Sequence, residues 1–154
     1  MDSDKDFNFR NIKRVDIAHQ KATEFLDKRK IFYKNIGFDP KEDKIPTEIW
    51  WKVPNFIRKT PDMFIVTDKG FALLEIKGCR DSLKIKIEDY IQYLKWNEAG
   101  RLMFFCYSTT KEARYLFPLK ALEQKFKDSY VGQYEDNKKF YLEINLKALE
   151  GVKR

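Results

Sequence analysis

The chain is poor in the residues that build metal cages and covalent staples. Its 154 residues include two cysteines, Cys79 and Cys106, and a single histidine, His19. Without a C-x-x-C pair and with one imidazole, no zinc-ligand spacing exists. Each cysteine sits in or beside an apolar strand pattern, which points to reduced thiols in an intracellular, cytoplasmic protein rather than a disulfide. No run of about 18 apolar residues is present, so no membrane span is expected. The opening MDSDKDFNFRNIKR has no apolar core of the kind a signal peptide needs. Internal repeats and low-complexity linkers are absent as well.

What is there in quantity is charge. Lysine and arginine number 31 against 24 aspartates and glutamates, a net +7. A basic excess of this size favours a polyanionic partner. With 43% hydrophobic residues the chain can bury a core, and its length suits one domain over 1–154.

Residues 1–13 read as a poorly ordered start. From Arg14 to Lys30 the pattern is helical, with Val15, Ala18, Ala22, Phe25 and Leu26 on one stripe. Ile31 to Phe38 is strand-like, and 38–46 is a polar loop. Glu48 to Ile57 is aromatic and β-prone, but Pro54 demotes it to an edge strand or extended loop. Met63–Thr67 and Phe71–Lys77 read as strands joined by the turn TDKG. Leu83 to Ala99 reads as a second helix, with Ile87, Tyr90, Ile91 and Leu94 at helical spacing and Gly100 as its stop. Arg101–Tyr107 is a continuous apolar run, as for a strand covered on both faces. Arg114–Phe117 suggests another strand, 118–127 a short helix and Lys139–Asn145 a late strand. The order predicts an α/β fold on a mixed central sheet flanked by helices.

One stretch conflicts with burial. Thr60 to Gly78, TPDMFIVTDKGFALLEIKG, is a hairpin that carries Asp62, Glu75 and Lys77. Strand side chains alternate faces, so Glu75 and Lys77 share one face and Ile76 takes the other. A two-residue loop at Asp68-Lys69 pairs Thr67 with Gly70, and the same register sets Asp62 across from Glu75. A four-residue loop gives the same pairing, whereas a three-residue loop would set Asp62 opposite Ile76. Like charges directly opposed destabilise a strand pair. A divalent cation between them resolves the repulsion, and hard oxygen ligands suit Mg²⁺, Mn²⁺ or Ca²⁺. Lys77 could then orient or deprotonate a water, or stabilise charge developing on phosphorus. The competing reading is a structural salt bridge at a strand end.

Pro61-Asp62 followed by Glu75-Ile76-Lys77 resembles the PD-(D/E)xK nuclease superfamily. Glu-x-Lys also occurs at residues 42–44 and 123–125, but in a polar loop and on a helix. The resemblance covers about residues 15–108 and implies a restriction-endonuclease-like αβββαβ core, with 109–154 as a C-terminal extension of one helix and one strand. It implies that Asp62, Glu75 and the Ile76 carbonyl ligate Mg²⁺ or Mn²⁺, and that Lys77 is the catalytic lysine. Many members add a ligand from the first helix, for which His19 and Glu24 are candidates. His19 falls on the rim of the apolar stripe and Glu24 on the far side. The pattern H-x-x-A-x-x-F-L from His19 is similar to E-x-x-A-x-x-Y-L of resolvase-like relatives, with His for Glu.

The small size and the segment IEDYIQYLKWNEAGRLMFFCY look most like the archaeal-type Holliday junction resolvases. Those are homodimeric DNA endonucleases of recombination and repair in which each subunit cuts one strand. The first-helix glutamate is not where that group places it, and Glu48–Thr60 is not diagnostic. Arg58, Lys59, Arg80 and Lys84 flank the motif as candidate DNA contacts, and Gln92 is a candidate helix residue reaching the same face. Tyr90 and Tyr93 read as packing and surface residues. Trp50 and Trp51 could stack on bases or form a dimer contact. The alternatives are another nuclease on the same core (a nickase, a restriction-type or an RNA-directed enzyme) or a non-catalytic DNA-binding module.

Overall fold

The computed structural model describes residues 16–39, 43–126 and 129–152. The expected start at residues 1–13, the first two residues of the expected 14–30 helix, residues 40–42 of the expected 38–46 loop and the last residue of the 118–127 helix lie outside them. Helix α1 spans residues 16–28. It is followed by β1 (Phe32–Asn35), two single-turn helices α2 (Thr47–Trp50) and α3 (Asn55–Arg58), β2 (Met63–Thr67) and β3 (Gly70–Cys79). Then come β4 (Ser82–Lys86), α4 (Ile87–Ala99), β5 (Leu102–Ser108), β6 (Ala113–Pro118), α5 (Leu119–Lys125), β7 (Tyr130–Gln133), β8 (Phe140–Asn145) and a 3-10 helix at Leu146–Val152.

Five strands form the central sheet in the order β1-β2-β3-β5-β6. Among the described strands only β3 and β5 run parallel, because α4 carries the chain across between them. The remaining strands make a second, three-stranded antiparallel sheet, β4-β8-β7. The central sheet is apolar on both faces. Ala18, Ala22, Phe25 and Leu26 of α1 cover Met63, Ile65, Leu74, Ile76 and Phe105 on one. The two alanines bring the helix close to the strands, as the stripe in the sequence predicts. On the other face Tyr93, Leu119 and Leu122 pack with Leu73, Phe104, Cys106 and Phe117, joined by Leu83 and Ile85 of the small sheet. Each fully buried side chain of this size contributes about 1.5–3 kcal/mol.

The hairpin register is the one that opposes the carboxylates. Met63 pairs with Leu74 and Thr67 with Gly70. The turn is two residues long, Asp68-Lys69, and Gly70 closes it at φ +113°, where a side chain would be strained.

Three expectations are corrected. Glu48–Ile57 is neither strand nor extended loop: Pro46 and Pro54 each precede a helical turn. Proline favours that boundary because its φ is preset and a helix start needs no N–H from it. Leu83–Lys86 is not helix but strand β4, since Leu83 and Ile85 alternate into the core while Lys84 stays out. In α4 the stripe is also rotated from expectation. Ile91 and Leu94 are 48% and 39% exposed, whereas Asp89, Gln92 and Tyr93 are buried. Strand β7 had no signal in the sequence, being a four-residue edge.

Cys79 and Cys106 are buried thiols, with Sγ atoms 3.1 Å apart on neighbouring strands. No helix among the described residues is long and apolar enough to cross a membrane.

Candidate active site

Asp62 stands one residue before β2, where the chain is pinned. Its carbonyl accepts hydrogen bonds from the Ile36 and Gly37 amides at 3.0 and 3.2 Å. A β-carbon at Gly37 would come within 3.2 Å of the Asp62 Cα, so glycine lets β1 leave the sheet directly over Asp62. The Asp62 side chain turns back to β3, and Oδ2 accepts the Ile76 N–H at 2.7 Å. This hydrogen bond extends the β2–β3 pairing by one step and sets Asp62 facing Glu75.

Glu75 and Lys77 lie on the α4 face of β3, with the Lys77 ammonium 3.7 Å from Glu75 Oε1. Ile76 points to the α1 face and is buried there. Above Lys77 lies the Tyr93 ring, its centroid 5.5 Å from Nζ. Asp89, one turn earlier on α4, pairs with Lys59 at 2.9 Å. These groups line a cleft of about 700 Å³, closed on the α1 side by Asp16, His19, Gln20 and Thr23.

Burial sets the electrostatics. The Asp62 carboxyl is pushed above the usual carboxylate range by loss of water, partly offset by the Ile76 amide, Lys77 and His19. Glu75 is pushed well above it, first by burial and then by the charge of Asp62. For Lys77 burial disfavours the ammonium, but Tyr93, Glu75 and Asp89 outweigh it, and its pKa stands well above the ordinary lysine value. The Tyr93 hydroxyl stays protonated, its pKa raised by burial and by Glu75.

Two hard-oxygen carboxylates opposed in a partly buried cleft fit a divalent cation, since either one charged alone is costly and both together more so. Among the described residues no three acidic, imidazole or thiol groups already converge as a cage. The donor pair is Asp62 and Glu75, with His19 as the imidazole on the same cleft.

Of the residues singled out in the sequence, the cleft gathers His19, Arg58, Lys59, Asp62, Glu75 and Lys77. Glu24 is excluded: it is exposed elsewhere on α1, 3.7 Å from Lys21 and accepting from Gln20. Arg80 lies at the far end of β3, five residues or about 16 Å of strand past Glu75. There its carbonyl accepts from Thr110 Oγ1 at 2.8 Å. Lys84 is exposed on the small sheet, over the Tyr141 ring at 5.0 Å. Gln92, expected to reach the same face, does not line the cleft; it is 8% exposed, and its Oε1 is buried without a hydrogen-bond partner. Three acidic cleft residues, Asp16, Asp39 and Asp89, were not singled out by the sequence. Asp16, His19, Gln20 and Thr23 recur at i, i+3, i+4 and i+7, a polar stripe that helix phase defines.

The five-stranded sheet, its parallel β3–β5 crossover and the flanking helices are a fold shared with a solved Holliday junction resolvase structure. The structure is similar to that of Hjc, a Holliday junction resolvase from the archaeal hyperthermophile Archaeoglobus fulgidus. The TM-score is 0.52 at 13% sequence identity, covering 86% of this chain and 88% of that one. A second solved structure, D212, a nuclease from a fusselovirus, aligns with a TM-score of 0.46 and 14% identity over 94% and 93% of the two chains. No family profile and no curated protein matches the sequence.

Proposed function

We propose that this protein is a Mg²⁺- or Mn²⁺-dependent endonuclease that hydrolyses DNA phosphodiester bonds at branched sites, with the four-way junction as the leading substrate. The observation that carries the proposal is the opposed Asp62–Glu75 pair with Lys77 on the same face. Folding alone gives no reason to bury two facing carboxylates.

In this reading Asp62, Glu75 and the Ile76 carbonyl hold the ion, and His19 adds an imidazole from α1. The ion, when bound, supplies Lewis-acid polarisation of the phosphate and a more acidic water. Lys77 keeps its proton and presents a fixed positive charge where negative charge builds up on the phosphoryl oxygens. Tyr93 and Asp89 hold that charge in place from α4. Arg58 binds phosphate at the rim. The protein acts as a homodimer, one strand cut per subunit, and the whole 1–154 chain serves as one nuclease domain in recombination or repair.

The deciding experiment is a substrate panel. Purified protein with Mg²⁺ or Mn²⁺ should cut a four-way junction in preference to linear duplex or single strands. Equal cutting of all three would reject the junction. No cutting with any divalent ion, while salt-sensitive DNA binding persists, would make the chain a binding module on a nuclease fold.

A further inference from the structure

The α2–α3 segment, 47–58, leaves large apolar groups in water beside the cleft. Trp51 is 68% exposed, Ile49 50% and Ile57 37%. The segment is nonetheless firmly seated. Phe56 stacks on Trp96 of α4 with centroids 4.3 Å apart and planes 11° from parallel. The Trp96 indole N–H donates to the Phe56 carbonyl at 3.0 Å. Trp50 stacks on Phe38 at 5.7 Å. Anchors on both sides of Trp51 hold its backbone in place, which lowers the ordering cost of meeting a partner.

Arg58 joins this patch to the cleft. Its guanidinium lies 5.1 Å from the Trp51 ring and 5.7 Å from that of Trp50. Its Nε is buried with no hydrogen-bond partner. Among the described residues it makes no ion pair, whereas its neighbour Lys59 is held by Asp89 and Lys77 faces Glu75. Arg58 also lines the same cleft as Asp62 and Glu75. A planar cation with an unsatisfied Nε and no ion pair, flanked by an exposed indole, offers a phosphate contact beside a base contact.

We infer that Trp51 and Arg58 form a site for an unpaired nucleotide next to the scissile phosphate, with Arg58 taking the phosphate and Trp51 stacking the base. The site makes the enzyme a reader of unstacked strand rather than of intact duplex. It rests on the nuclease reading for its orientation but not for its test. Charge complementarity and continuity with the cleft favour a nucleic-acid strand over a second copy of the chain as the occupant.

The test is binding by fluorescence anisotropy in EDTA, so that no cleavage intervenes. The probes are a single-stranded DNA oligonucleotide and a blunt duplex containing the same sequence. Trp51→Ala should weaken the single strand roughly tenfold and the duplex less than twofold, and Trp51→Phe should restore most of the loss. Arg58→Ala should weaken the single strand and lower its salt slope by about one. Because Trp51 is exposed, the variant should keep the wild-type melting temperature. An unchanged ratio of single-strand to duplex affinity in Trp51→Ala would overturn the inference. So would a loss confined to self-association in sedimentation. Failure to cut any substrate would sink the nuclease reading while leaving this binding result to stand or fall separately.

Discussion

Helices α1 and α4 flank the strand that carries Glu75 and Lys77, and they offer polar side chains to it in opposite ways. Helix α1 packs by its apolar stripe, Ala18, Ala22, Phe25 and Leu26, and its polar groups reach the cleft from the rim. Its one imidazole, His19, is only half-buried. Helix α4 turns Asp89, Gln92 and Tyr93 inward and leaves Ile91 and Leu94 in water. Burying an aspartate and a glutamine at the expense of two aliphatic residues is unfavourable for stability. The first helix is thus built as packing with a site at its edge. The second gives up packing to place charge around Lys77.

The largest effects belong to the strand between them. Asp62→Ala, Glu75→Ala and Lys77→Ala should each lower cleavage by about 10³-fold or more, as removal of a metal ligand or a transition-state charge does. DNA binding in EDTA should stay within a few-fold. Full activity in all three would end the site assignment and make the two-helix contrast irrelevant to chemistry.

Next comes α4. Asp89→Asn removes the charge that holds Lys59 at 2.9 Å and helps to keep Lys77 protonated. Cleavage should fall roughly 10–100-fold, as for loss of a group that orients a catalytic residue. If kcat is unchanged, α4 packs and does no more. The matching variant on α1, His19→Ala, should leave the fold intact and weaken Mn²⁺ binding by about tenfold, read by titrating activity against metal. Glu24→Ala, pointing away, should change neither. A larger kinetic loss from His19→Ala than from Asp89→Asn would reverse the contrast.

A smaller effect concerns stability. The carboxyls of Asp62 and Glu75 have raised pKa values in the fold. Between the unfolded carboxylate range, about 4, and those raised values, the folded protein binds more protons than the unfolded chain. Their contribution is complete below the unfolded value and is lost as pH rises through the folded ones. Metal-free protein should therefore melt at a higher temperature near pH 5 than near pH 8, each kcal/mol being worth roughly 2–4 °C at this length. Glu75→Gln should flatten that slope, and so should saturating Mg²⁺. A metal-free Tm that rises with pH would show that the pair is not strained.

Much of this was legible in the sequence because it rests on short-range rules. Period-2 alternation put Glu75 and Lys77 together, and a two- or four-residue turn at Asp68-Lys69 would set Asp62 opposite Glu75, while the choice against a three-residue turn came from the structure. Helix phase chose His19 over Glu24 for the cleft. What failed depended on tertiary context. Lys84-Ile85-Lys86 continues smoothly into a helical pattern, and only pairing with β8 makes it strand. Ile87, Ile91 and Leu94 form a good apolar stripe, so nothing local says that α4 buries the face bearing Asp89 instead. The tryptophan segment was misassigned because aromatic β-propensity outweighed two proline helix starts.

Gln92 provides the finest test of that rotated face. Its Oε1 is buried without a partner, which costs about 1–3 kcal/mol relative to a satisfied group. If the amide is there only because α4 is turned by Asp89 and Tyr93, Gln92→Leu should cost nothing. It should raise the Tm of metal-free protein by a few degrees, since an apolar side chain of similar volume removes the unpaired oxygen and fills the space. Cleavage should then fall by less than tenfold. If the amide instead supports the site, the same substitution should raise Tm while cutting kcat as deeply as Asp89→Asn, and combining the two should add little. A drop in Tm would mean that the oxygen has a partner in solution, and that α4 sits in a different phase on the sheet.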